Sequence, residues 1–128
     1  MIIGTGIDLI EISRIEKAAK SAAFLNRIFS ENERALFSER GFRASTIADN
    51  FAAKEAVMKA FGCGFSSGLY RDIEILREES GAPYVVLKNS ALDKFAAVNG
   101  KTIHLSITNI KDLVLAQVIL ESESICGY

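Results

Sequence analysis

The chain has 128 residues, 49% of them hydrophobic, and a formal net charge of −1, which suits one compact domain over residues 1–128 with a real core. One proline, nine glycines and no low-complexity run argue against a linker or a disordered tail, and no apolar run approaches the roughly 20 residues of a membrane span. MIIGTGIDLIEIS at the N-terminus lacks the basic flank and small-residue cleavage site of a signal peptide, so a cytoplasmic protein is expected.

Residues 2–10, IIGTGIDLI, are β-branched and punctuated by glycine, which predicts a buried strand carrying one acid, Asp8. Ser13 and Glu16 have the spacing of a capping box and predict a helix start, with Ile15, Ala18, Ala19 and Ala22 on one face. Phe24, Ile28 and Phe29 continue a helical pattern, and Ser30 with Glu33 predicts a second capping box ahead of a helix closed by Gly41. The longest periodic segment runs from Ser45 to Phe61 and stops at Gly62. Beyond it, YRDIEILRE alternates as a half-buried strand does, and ESGAP turns it back into a strand over 84–87. Asn89 is placed to cap a short helix through Leu92, Phe95 and Ala96, and TIHLSIT with LVLAQVIL forms a closing hairpin around NIKD. The expected class is α+β, with a mainly antiparallel sheet and segregated helices.

Cys63 and Cys126 lie far apart without metal-ligand spacing, which speaks against a zinc site or a cytosolic disulfide. Neither a P-loop nor a G-x-G-x-x-G run occurs, so a nucleotide-dependent kinase or a dinucleotide enzyme is not expected. Between Arg14 and Arg43 stand seven basic residues against four acidic ones, a bias that suits an anionic partner or substrate. TIHLSIT separates Ile103, Leu105 and Ile107 from a polar row of His104, Ser106 and Thr108.

The stretch FAAKEAVMKAFG places Glu55 on a flank with Phe51 and Met58, and Lys59 one turn on. Burying an unpaired carboxylate costs several kcal/mol, so something must offset it. One answer is a Glu55 to Lys59 ion pair, which contributes about 0.3 to 0.5 kcal/mol when exposed. The other is a cation shared with Asp8. Mg²⁺ takes one or two carboxylates and fills its remaining positions with water and phosphate oxygens, so Asp8, Glu55 and a lysine make the parts of a phosphoryl-transfer site.

Taken together, GIDLIEISRI, FAAKEAVMKAFG, RDIEIL, GAPYVVL and HLSIT resemble the holo-acyl-carrier-protein synthases, the small bacterial 4′-phosphopantetheinyl transferases, over nearly the whole chain and in the same order. The resemblance implies Mg²⁺-dependent transfer of 4′-phosphopantetheine from coenzyme A to a serine of an acyl carrier protein, with release of adenosine 3′,5′-bisphosphate, in support of fatty acid biosynthesis. It implies Asp8 and Glu55 as metal ligands, with Glu55 taking the serine proton directly or through a metal-bound water. Lys59 then steadies the pyrophosphate, His104 and Ser106 hold phosphate or ribose groups of coenzyme A, and Gly62 and Gly64 allow close backbone approach. Arg14 falls at the family's carrier-contacting position, with Lys17, Lys20 and Arg27 extending the patch and Phe24 and Ile28 as apolar anchors. It further implies a homotrimer with active sites shared across interfaces, and no nucleic-acid or membrane partner.

Two positions depart from the family pattern. Asn50 stands where many relatives carry arginine, and Asn109 where many carry histidine, which puts a charged phosphate contact at each place in doubt; the KSAAF segment is also poorer in arginine than in some relatives. Two other functions use some of the same residues: a Mg²⁺ enzyme acting on another pyrophosphate, which would ignore carrier protein, and a noncatalytic carrier-binding module, against which the intact Asp8, Glu55 and Lys59 speak.

Overall fold

The glycine-rich N-terminal segment forms strand β1 (Ile2–Glu11), which runs without a break into helix α1 (Ile12–Ala18). The structure is a computed structural model and describes residues 1–63 and 67–123. Helices α2 (Ala22–Ile28), α3 (Glu31–Glu39) and α4 (Ala44–Ala60) follow, then a 3₁₀ turn over Ser67–Asp72. Strands β2 (Ile73–Arg77) and β3 (Pro83–Leu87), helix α5 (Asn89–Ala97), and strands β4 (Gly100–Asn109) and β5 (Leu113–Ser122) complete the order. Every strand pairing is antiparallel, in a three-stranded sheet ordered β1-β5-β4 and a separate β2-β3 hairpin. The class is therefore α+β, as the order of hydrophobic periods predicts.

The core forms where the three-stranded sheet meets α4. Val114, Ala116, Val118 and Leu120 of β5 alternate onto the buried face, as the strand period requires. On α4, Ala48, Ala52, Ala53, Ala56, Val57 and Met58 are all essentially inaccessible. Small residues let the sheet come close: a Cβ on Gly6 would stand 1.8 Å from the Ala56 carbonyl oxygen, and one on Gly4 2.2 Å from that of Ala60. No side chain other than hydrogen fits at either place. The same core continues between the helices, where the Phe29 and Phe37 rings meet edge to face at 4.9 Å.

Several local expectations hold. Ser30 and Glu33 form the reciprocal capping box that opens α3, and Gly41 and Gly62 take positive φ values of 68° and 77° just past α3 and α4. Others need correction. Ser13 and Glu16 form no cap, because α1 starts directly from the end of β1, with Glu11 as N-cap and no side-chain bond. Helical character lapses after Ala18, so Ala22 belongs to the next helix. Asn89 does not cap α5; it has φ 47° and its amide donates to Asp72 Oδ1 at 3.1 Å. Strand β2 is not half buried, because Glu74 is only 1% exposed between the equally buried Ile73 and Ile75. Strand β1 is buried on one face only: Ile7 and Leu9 are 56% and 61% exposed, since within a single chain α4 covers just one side of the sheet.

Candidate active site

Along β1, the residues facing α4 are Gly4, Gly6, Asp8 and Ile10. Gly4 sits over Ala60 and Gly6 over Ala56, so the strand runs antiparallel to the helix and Asp8 comes next, toward the turn that holds Glu55. The backbone contact thus brings an acid from each element into one place. Asp8 Oδ1 accepts from Lys59 Nζ at 3.0 Å, and the same ammonium donates to the Ile7 carbonyl at 2.9 Å. Asp8 Oδ2 is buried and has no hydrogen-bond partner among the described residues. Such an orphaned carboxylate oxygen calls for a missing partner.

Glu55 is 6% exposed and takes no ion pair from Lys59; that reading of the helix spacing is corrected, because Lys59 reaches across to β1. Its Oε1 accepts instead from the Tyr70 hydroxyl at 2.7 Å. Burial holds the Glu55 carboxyl above its ordinary range and the Asp8 charge adds to the rise, against the Tyr70 hydrogen bond and the charges of Lys59 and Arg14. Burial, together with the bond to Glu55, also raises the Tyr70 hydroxyl. Two like charges share a site in which one oxygen is unpartnered. That arrangement fits a hard divalent cation, whose charge would relieve the repulsion and whose preference for oxygen matches the donors present.

Behind Glu55 lies a polar network that the sequence did not reveal. Lys54 is fully buried and donates to Glu33 Oε1 and to the Tyr70 carbonyl, each at 2.6 Å, and to the Ile73 carbonyl. Glu33 Oε2 accepts from Asn50 Nδ2 at 3.0 Å. Burial raises the Glu33 carboxyl and lowers the Lys54 ammonium, each partly offset by the other. Asn50 also donates to the Ile75 carbonyl and accepts from Arg77, each bond spanning 2.9 Å. With no exposed surface, its amide is spent on bonds inside the fold. Asn109 at the end of β4 donates to Asp49 Oδ1 at 2.9 Å.

The other predicted residues separate into those near the acids and those away from them. Arg14 and Arg27 are exposed, and their charges reach Glu55 and Tyr70 respectively. Lys17 and Lys20 are exposed. Phe24 is half buried, its ring 6.1 Å from both Phe29 and Phe51. Ile28, at 4% exposed, is a core residue and cannot anchor a partner from the surface. His104 and Ser106 lie on the opposite face of the sheet from α4, since they alternate with Ile103, Leu105 and Ile107, and His104 Nε2 pairs with Glu121 Oε1 at 2.9 Å. One chain does not bring them to Asp8 and Glu55. A Cβ on Gly62 would meet no atom of the described residues within 4 Å, while Gly64 and Cys126 lie outside the described residues. Cys63 is a free thiol, 3.6 Å from the Met58 carbonyl.

A polar cleft of about 520 Å³, lined by Ser30, Asn32, Arg71, Glu74 and Lys88 among others, contains none of these acids. Its buried carboxylate, Glu74, already accepts from Ser30 Oγ at 2.6 Å, Asn32 Nδ2 at 3.1 Å and Lys88 Nζ at 3.0 Å. Geometry therefore favours the Asp8 and Glu55 site for chemistry over the roomier cleft.

A sheet laid by glycine onto one central helix brings an acid from each into one place, with Lys59 bonded to Asp8, a donor set chemically suited to a hard cation and the phosphate oxygens it would carry. Residues 4–118 match the 4′-phosphopantetheinyl transferase superfamily, and the chain belongs to that family of enzymes. More particularly, it is 44% identical over 126 residues to the holo-[acyl-carrier-protein] synthase of Clostridium tetani, a match that covers 98% of this chain and all of the relative. Among solved structures it resembles a holo-(acyl-carrier-protein) synthase of Bacillus anthracis in complex with CoA (3′,5′-ADP), with a TM-score of 0.78, 37% identity, and coverage of 96% of this chain and 99% of the other. The holo-[acyl-carrier-protein] synthase of Helicobacter pylori in complex with coenzyme A gives 0.80 and 32% over 91% and 99%.

Proposed function

We propose that the protein transfers the 4′-phosphopantetheine group of coenzyme A to a serine of an apo acyl carrier protein, acting with Mg²⁺ as one domain over residues 1–128. The observation that carries this reading is the buried, unpartnered Asp8 Oδ2 next to Glu55 and Lys59. Asp8 and Glu55 would hold the ion, which supplies charge neutralisation at the pyrophosphate when bound.

This chain's residues do the rest. Glu55 accepts the proton of the carrier serine as its oxygen bonds to the phosphorus bearing the pantetheine arm. The bond from that phosphorus to the bridging oxygen breaks, and adenosine 3′,5′-bisphosphate leaves with the electron pair. Lys59, already beside Asp8 and half exposed, offers its ammonium to the phosphate that leaves. The exposed Arg14 and Arg27, with Lys17 and Lys20, meet an acidic carrier protein.

His104 and Ser106 complete a coenzyme A site only if a second subunit presents them. The uncovered sheet face supports such an assembly: Ile7, Leu9 and Ile110 are more than half exposed, and Leu9 lines an apolar hollow with Leu113 and Leu115. Patches of this kind mark association surfaces, and a homotrimer with shared sites is the arrangement we assign. A cytoplasmic place in fatty acid biosynthesis follows from this reaction; among the described residues no helix is long and apolar enough to cross a membrane.

Mass spectrometry of apo acyl carrier protein incubated with the protein, coenzyme A and Mg²⁺ tests the reaction. The expected result is a gain of one phosphopantetheine group, lost with Asp8→Ala, with Glu55→Gln or on chelation. No gain with several carriers and a folded protein would overturn it in favour of another pyrophosphate substrate or a binding role.

A further inference from the structure

Tyr70 is held at three points. Its hydroxyl donates to Glu55 Oε1 at 2.7 Å, and its ring stacks on Phe51 with centroids 5.9 Å apart and planes 14° from parallel. Its carbonyl accepts from Lys54 Nζ at 2.6 Å, and Lys54 is fastened in turn to Glu33. Two consecutive residues of α4 therefore grip the same tyrosine, one by its backbone and the other by its hydroxyl. With 7% of its surface exposed, the side chain has nowhere else to go.

That bond engages one oxygen of Glu55, and no hydrogen bond among the described residues engages Oε2. A glutamate side chain left to itself spreads over many rotamers, and the neighbouring charge of Asp8 pushes it away from a shared site. The Tyr70 hydroxyl opposes both tendencies before any ligand arrives. We propose that Tyr70 is a positioning residue, fixing the Glu55 carboxylate so that its second oxygen is presented to the divalent ion and the incoming serine. The role rests on the reading of Asp8 and Glu55 as an ion site, and is of the kind in which a partner bound to a ligand orients it.

Tyr70→Phe is the test, because it keeps the ring, its stacking and its burial and removes only the hydroxyl. Mn²⁺ serves as the probe, with the free ion counted by electron paramagnetic resonance in the presence of coenzyme A and without carrier protein. Expected is a loss of about 10- to 100-fold in Mn²⁺ affinity, a parallel fall in kcat, and an unchanged KM for carrier protein, with circular dichroism as in the wild type. Mn²⁺ affinity equal to or tighter than wild type overturns the role, whatever happens to the rate. Asp8→Ala and Glu55→Gln are measured alongside: if they lose Mn²⁺ while Tyr70→Phe keeps it, only the role of Tyr70 falls. If both bind Mn²⁺ as the wild type does, the ion site falls and the proposal with it.

Discussion

Lys54 Nζ lies 2.6 Å from Glu33 Oε1, and neither side chain has any exposed surface. A buried pair of this kind is strongly coupled, because removing one partner strands the other charge. Lys54→Met is expected to cost about 3 to 5 kcal/mol in urea unfolding. Adding Glu33→Gln should recover much of that loss, and a double variant no more stable than the single one would contradict the coupling.

If the orphaned Asp8 oxygen holds the proposed ion, stability depends on that ion. Mg²⁺ at roughly a hundred times its Kd is expected to add about 2.7 kcal/mol, read as a rise in melting temperature with coenzyme A present. In Asp8→Ala the rise should vanish, while the variant without Mg²⁺ should melt no lower than the wild type, since a desolvation cost has been removed. An Mg²⁺ response that survives in Asp8→Ala would place the ion elsewhere.

Glu74 gives the fold an acid dependence. Burial acts to raise its carboxyl, but hydrogen bonds from Ser30, Lys88 and Asn32 outweigh it and leave it below the ordinary 4.5. With the folded value depressed, the unfolded chain takes the proton first, so this contribution is present above 4.5 and is lost as pH falls below it. Melting temperature against pH should therefore fall less steeply on the acid side in Glu74→Gln than in the wild type. Parallel curves would show that Glu74 is not a source of acid sensitivity.

Arg14 and Ile28 should part company under mutation. Arg14→Glu is expected to raise the KM for carrier protein with little change in the KM for coenzyme A. Ile28→Ala, at a position only 4% exposed, should instead lose about 2 to 5 kcal/mol of stability with its carrier KM unchanged. A raised carrier KM in Ile28→Ala at full stability would restore it to the interface.

What could be read from the sequence was local. The Ser30 and Glu33 box is written in four adjacent residues, and the alternation of TIHLSIT specifies β4 whatever packs on it. Asp8 and Glu55 stood out as acids inside apolar elements. Glu33 was legible as a cap, but not its second bond to Lys54, because that contact joins residues 21 positions apart. Tyr70 carried no signal of its bond to Glu55: its segment has the alternation of a strand, whereas the structure puts it in a 3₁₀ turn. His104 and Ser106 were legible as a polar row, but which side of the sheet they occupy relative to Asp8 is a matter of topology. Ile28 was set among the anchors by the family resemblance, and the sequence of its short helix does not show that this side chain turns into the core.

Gly4 and Gly6 touch carbonyl oxygens of α4 and no side chain lies between. The separation of strand from helix is thus set by main-chain atoms, which every substitution shares. The spacing at this contact is therefore fixed by backbone and not by the choice of apolar side chain, and it is this contact that sets Asp8 of the strand against the helix that carries Glu55. The same contact makes the two glycines intolerant, since even one methyl group would move β1, and Asp8 with it, off the helix that carries Glu55.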